Sequence, residues 1–358
     1  MKSRFCMSAA VVWVVLVGVF GVLGQTGGQS FTGAIGGSNI EMEVSHAGDT
    51  LTGSYWYRKS GSAKRLGLRG RVAADGSFAM QETDAGGKVT GEFKGKWNDD
   101  KNAAGAVLEG EWFKPGQTSD GLGFYAFEQM VYFTSGKITT REFKEKIKAK
   151  KADLSAEYPE LAGTPNAAGF NMVAKAAAMR SLAGFRKDLA GFTAADIKQL
   201  GEMGNYIDVG YDVMYADDDL ISVSFGEDTF TGGAHPNHGY FTITYDLKAG
   251  RQLKLADLFK PGAKYLSVIS AYAIRDLKGR KNQDSGENLG YAQDIFADGA
   301  KATLANYSVW NVTKKGLLIT FPQYQVASYA DGPQSVMIPY SALKSIALAG
   351  GALGKVSR

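Results

Sequence analysis

From residue 31 to about 130, apolar and polar residues alternate, as in "VTGEFKGKW" (89–97). That is the period of a strand with one buried face. An apolar-x-Gly-x-apolar unit recurs in the same stretch, centred on Gly33, Gly53, Gly70, Gly91 and Gly110, at intervals of 17 to 21 residues. The turn-forming runs "HAGD", "ADGS", "DAGG" and "NDDKNAAG" fall between the units. Short strands at this spacing predict an antiparallel meander or a small up-and-down barrel over 28–130. Glycine weakens a strand interior, so its recurrence predicts strong curvature, where a sheet closes on itself.

The texture changes beyond residue 130. Lys144, Lys146, Lys148 and Lys150 alternate with Phe143, Glu145, Ile147 and Ala149. This reads as a strand with lysines on one face, the usual protection of a sheet edge. "NAAGFNMVAKAAAMRSLAGFRKDL" (166–189) predicts a helix capped by Asn166, with Phe170, Val173, Ala177 and Leu182 on its apolar side. Two strands flank the acidic turn Asp217-Asp218-Asp219, further helices are predicted over about 262–278 and 291–306, and "LLITF" and "SVMIPY" read as later strands. The expectation for 140–350 is an α+β domain with an antiparallel sheet and about three helices.

Residues 1–24 carry Lys2 and Arg4, then the apolar run "AAVVWVVLVGVFGVLG" and the small-residue end Val22-Leu23-Gly24. This is the layout of a secretory signal peptide, shorter than the ~20 apolar residues of a spanning helix. Secretion or a periplasmic location after cleavage is therefore expected; membrane attachment would come only through an uncleaved signal segment. Cys6 is the sole cysteine and lies in this segment. The mature chain must be held by its core, for which 44% hydrophobic residues suffice, and it has no thiolate for metal or nucleophilic chemistry. The net charge of +4 is too balanced for a nucleic-acid binder.

Two of the three histidines, His235 and His238, lie in "TFTGGAHPNHGYFTITYD" (229–246). Pro236 keeps the pair off a helix face. A zinc site needs three or four ligands, and only carboxylates such as Glu227, Asp228 or Asp246 are near in sequence, so no metal or other cofactor is expected. The stretch 227–238 is long for a hairpin loop, and Gly232-Gly233 suggests positive φ or a close backbone approach. No G-x-S-x-G elbow, S-x-x-K or P-loop occurs. The aromatic residues of the first half, such as Tyr55, Trp56, Tyr57, Trp97 and Trp112, read chiefly as core and inter-domain contact.

The series "GGAHPN", "DLKAGRQLKLADLF" and "QYQVASYADGP…IPY" resembles an extracytoplasmic bacterial domain family of largely unknown function. Related domains occur in the ectodomain of the lysozyme-sensing anti-sigma factor RsiV and beside the catalytic domain of a peptidoglycan deacetylase. The resemblance covers about 150–345. It implies a non-enzymatic binding protein of the cell envelope, with a wall-active protein such as lysozyme, or a glycan, as partner. The residues expected to carry binding are Gly232, Gly233, His235, Asn237 and His238, with Tyr324, Tyr329 and Asp331. The alternative is a cell-wall-directed hydrolase, metal-assisted through His235 and His238.

Overall fold

Alternation in the first half produces eight strands: β1 (Gln29–Ile35), β2 (Ser38–Ala47), β3 (Thr50–Tyr57), β4 (Leu66–Val72), β5 (Ser77–Thr83), β6 (Val89–Asn98), β7 (Val107–Phe113) and β8 (Leu122–Glu128). Neighbours in sequence pair antiparallel, and β1 pairs back onto β8 to close a barrel. The computed structural model describes residues 28–199, 204–281 and 296–356, so the signal segment at 1–24 lies outside the described residues. Among the described residues, no helix is long and apolar enough to cross a membrane.

Side chains fill the barrel. Phe31, Ile40, Met42, Leu51, Tyr55 and Phe93 are buried in one cluster. The recurring glycines mark where strands approach too closely for a side chain. Gly95 and Gly110 face each other across β6 and β7. A Cβ on Gly95 would lie 2.0 Å from the Glu109 carbonyl oxygen, and one on Gly110 would lie 2.1 Å from that of Lys94. The Glu82 carboxylate enters the packed interior. Its Oε2 accepts from Tyr55 Oη at 2.6 Å and Trp112 Nε1 at 2.8 Å, and its Oε1 from Thr90 Oγ1 at 2.6 Å. Burial and this carboxylate push the Tyr55 phenol far above its ordinary range.

The second half is built on a six-stranded sheet of β9 (Lys137–Ile147), β10 (Ala152–Ala162), β11 (Asn205–Ala216), β12 (Leu220–Phe230), β13 (Asn237–Asp246) and β14 (Arg251–Gln252). Its order is β14-β13-β12-β11-β10-β9. The expectation of an antiparallel sheet is corrected in one place, because β10 and β11 run parallel. The connection between them carries α1 (Ala167–Ala190) and the short α2 (Ala194–Gln199), and a parallel pair requires such a crossover. α1 buries Phe170, Ala174, Ala178, Leu182, Phe185 and Leu189 against one sheet face.

Three local expectations are also corrected. Asn166 stands at the start of α1 but makes no side-chain cap; its Nδ2 donates instead to the Leu247 carbonyl at 2.7 Å. The lysine strand is an edge strand, but it ends at Ile147, and Lys148–Lys150 form a 3₁₀ turn. The helix predicted over 291–306 falls partly outside the described residues, and its remainder from 296 is turns with a 3₁₀ turn at Ala305–Tyr307.

A three-stranded antiparallel sheet, β15 (Trp310–Val312), β16 (Gly316–Phe321) and β17 (Gln334–Pro339), shares a core with α3 (Tyr265–Lys278) and the short α4 (Tyr340–Leu343) and α5 (Ala352–Val356). It covers part of the sheet face opposite α1: Asn311 Nδ2 and Val312 N donate to buried Ser222 Oγ at 3.0 and 3.1 Å. The barrel joins the second half through ion pairs from Lys314 to Glu128 and from Lys101 to Asp276. A hydrogen bond from Met337 N to Asn102 Oδ1 (3.1 Å) adds to them.

Candidate functional site

The hairpin between β12 and β13 is longer in strand and shorter in loop than the sequence implied. Pairing continues to Thr229↔Asn237, so only residues 231–236 lie between the strands. Gly232 and Gly233 adopt φ of 96° and 106°, as expected of glycines in a left-handed turn. The loop places His235 against Tyr329 from the β16–β17 connection, with ring centroids 4.0 Å apart and planes inclined by 27°. Tyr329 also lies 6.0 Å from the His238 ring and 5.5 Å from Tyr324. Residues about 90 apart in sequence thus form one aromatic cluster.

Pro236 holds the two loops together. Its carbonyl oxygen accepts from Tyr329 Oη at 2.9 Å and lies 2.8 Å from His235 Nδ1. A carbonyl can only accept, so this contact requires the proton on Nδ1. Tyr324 is 62% exposed and has φ of 68°, a left-handed conformation that a bulky side chain seldom adopts. Strain of this kind persists only where the surroundings fix it, and it concentrates at functional positions. Asp331 is structural: its Oδ2 accepts from Ser328 N at 3.1 Å and Ser328 Oγ at 2.7 Å, closing the turn that carries Tyr329. Asn237 opens β13 opposite Thr229 and is exposed.

The two histidines do not converge on one point. His238 Nδ1 lies 3.4 Å from Asp228 Oδ1, its cross-strand neighbour, while His235 Nδ1 is committed to a carbonyl. Among the described residues, no three His, Cys, Asp or Glu side chains come together in a metal-binding group.

The structure adds Tyr206 and Phe230, which are cross-strand neighbours with ring centroids 6.0 Å apart. Burial, and then the negative charge of the Asp228 carboxylate, raise the Tyr206 phenol pKa. The sequence held a signal for this pair, since both are aromatics at the ends of alternating runs, but not the register that joins them.

On the barrel, a recess of about 870 Å³ opens at the end nearer the second half, with Trp97 and His46 at 5.5 Å among its lining. Its aspartates are largely engaged in ion pairs: Asp49 with Arg71, Asp75 with Lys96, and Asp99 with Lys315. The outer wall exposes Tyr125 and Phe127, contrary to a purely core role for the aromatics of this half.

Residues 139–238 match the family described as deacetylase PdaC, and residues 256–341 match a protein family of unknown function, DUF3298. Over 142 residues the chain is 30% identical to the peptidoglycan-N-acetylmuramic acid deacetylase PdaC of Bacillus subtilis; this is 40% of the chain and 29% of that relative. The chain therefore spans less than a third of the curated relative's length. A DUF3298 family structure from Bacteroides fragilis aligns at 18% identity, covering 62% of this chain and 97% of that one, with a TM-score of 0.45. One from Pseudomonas aeruginosa aligns at 14%, covering 60% and 94%, with a TM-score of 0.40. The second half of the chain thus carries two matched family segments, one of them shared with a protein named for its action on peptidoglycan.

Proposed function

We propose that this protein is a non-enzymatic binder of cell-wall glycan in the secreted or periplasmic space. The observation that carries the reading is the ring cluster of His235, Tyr329 and Tyr324, which two loops hold in place through the Pro236 carbonyl. A saturated sugar ring presents an apolar face and a polar edge, and a half-exposed tyrosine presents the same combination. The ring stack and the shared carbonyl fix the cluster before any ligand arrives, which lowers the ordering cost of binding. The relative named for peptidoglycan supplies the class of glycan.

Co-sedimentation of the mature protein with purified, protein-free peptidoglycan sacculi tests the reading. Wild type is expected in the pellet, and Tyr324→Ala and His235→Ala are expected in the supernatant while retaining the wild-type Tm. Soluble wild type would refute glycan binding. Recovery of wild type on immobilised lysozyme but not on sacculi would assign the cluster to a protein partner instead.

A further inference from the structure

We propose that the open face of the six-stranded sheet beside the ring cluster is a groove for amino-sugar residues bearing a free ammonium group, so that the protein prefers de-N-acetylated wall glycan; this rests on the glycan-binding reading above. Two observations support it.

The first is a pair of glycines that neither backbone nor packing explains. Gly210 and Gly226 are opposite each other on β11 and β12. Neither has positive φ, and a Cβ added to either would meet nothing within 4 Å. Five barrel-strand glycines, Gly33, Gly53, Gly70, Gly95 and Gly110, behave in the opposite way, each with a carbonyl oxygen about 2 Å from the added Cβ; Gly123 on β8 is open like the pair. Tyr240 is the cross-strand partner of Gly226, but its ring does not cover that glycine. Glycine costs stability inside a strand, and close approach by a ligand to bare backbone is one use that offsets that cost. Among the described residues, β15 covers the sheet face opposite α1 at Ser222 and Thr242, and the Gly210–Gly226 pair lies one same-face position beyond Thr242.

The second is charge. Asp208 and Asp228 are directly opposite across β11 and β12, an arrangement that like charges destabilise. Asp212 lies on the same face two residues beyond Gly210, and Glu157 follows the Ala156↔Val209 pair on β10. Among the described residues, no lysine or arginine forms an ion pair with any of these four, although Glu41, Asp49, Asp75, Asp219 and Asp276 each have one. Lys144 at the sheet edge is bound first to Glu142 and attracts Glu157 and Asp208 more weakly, and Asp208 accepts from Ser155 Oγ at 2.6 Å. Asp212 is exposed, and partial desolvation by the surrounding protein raises its pKa. His238 beside Asp228 joins this acidic strip to the rings of His235 and Tyr329. Rings that seat sugar faces, a bare floor and carboxylates with no lysine or arginine ion pair among the described residues together suit a polyhydroxylated cation.

Calorimetry at physiological salt with β1,4-glucosamine hexamer and its fully N-acetylated counterpart tests this. The glucosamine hexamer is expected to bind at least tenfold more tightly. The double variant Asp208→Asn/Asp228→Asn is expected to lose that preference while still binding the acetylated hexamer. Gly226→Ala, whose added Cβ meets nothing within 4 Å, is expected to fold normally and to weaken both ligands at least tenfold. Equal affinity for the two hexamers would overturn the inference and leave glycan binding intact, whereas failure to bind either would overturn both. Binding of the glucosamine hexamer that Tyr324→Ala leaves unchanged and hexalysine matches would show charge attraction alone, and would also overturn the inference.

Discussion

Tyr329 supplies both a hydroxyl to the Pro236 carbonyl and a ring to the stack, and two substitutions separate these roles. Tyr329→Phe removes only the hydrogen bond at 2.9 Å. The carbonyl keeps His235 Nδ1 at 2.8 Å, so no buried acceptor is orphaned. The loss is then an ordinary net hydrogen bond, about 0.5–1.5 kcal/mol. Tyr329→Ala removes the ring that lies 4.0 Å from His235 and 5.5 Å from Tyr324 as well. Each aromatic pair contributes about 0.5–1.5 kcal/mol, so the total rises to about 2–4 kcal/mol of local stability. Native-state hydrogen exchange reads these as opening free energies of the amides in 231–238, with tenfold per ~1.4 kcal/mol. The expected acceleration is about 2–10-fold for Tyr329→Phe and about 30–1,000-fold for Tyr329→Ala, with the barrel amides unchanged. Equal acceleration by the two variants would refute the separation of roles. No acceleration by Tyr329→Ala would show that the loop does not depend on the stack.

Further consequences concern the barrel and its junction. Glu82→Leu leaves Tyr55, Thr90 and Trp112 without their shared acceptor, and should lower stability in urea titration by about 2–5 kcal/mol. Gly95→Ala places a methyl 2.0 Å from the Glu109 carbonyl oxygen; it should prevent barrel closure or cost more than about 4 kcal/mol, measured by circular dichroism and thermal melting. Burial raises the Asp276 pKa, but Lys101 and Arg280 outweigh it and hold the carboxyl below its ordinary value. Its contribution to stability is therefore full above about pH 4 and lost as pH falls through the depressed folded value. Asp276→Asn should be less stable than wild type at neutral pH and converge on it in acid, as denaturant titrations at both pH values would show.

The barrel was legible because two periods coincide in it: alternation of apolar residues sets the strands, and the glycine interval of 17 to 21 residues sets the hairpins. The recurring glycines pointed to closure, with an open meander as the alternative; what they did not give is the closing pair, since β1 and β8 join segments about 90 residues apart by register alone. The parallel β10–β11 pair was missed because alternation reports burial and not direction. Asn166 was misread as a cap because a capping residue type can equally donate to a distant carbonyl, here that of Leu247. Most expected site residues meet in space: His235 and Tyr329 stack, and Tyr324 adjoins them. Asp331 proved to shape the turn, and the roles of Tyr206 and Asp208 depend on cross-strand register that sequence alone does not fix.

Hydrogen-exchange protection with soluble peptidoglycan fragments, mapped along the chain, locates binding most directly. Protection is predicted in 231–238 and 322–333, the two loops that carry His235, Tyr324 and Tyr329. Protection confined to the barrel recess around His46 and Trp97, or absent everywhere, would contradict the account.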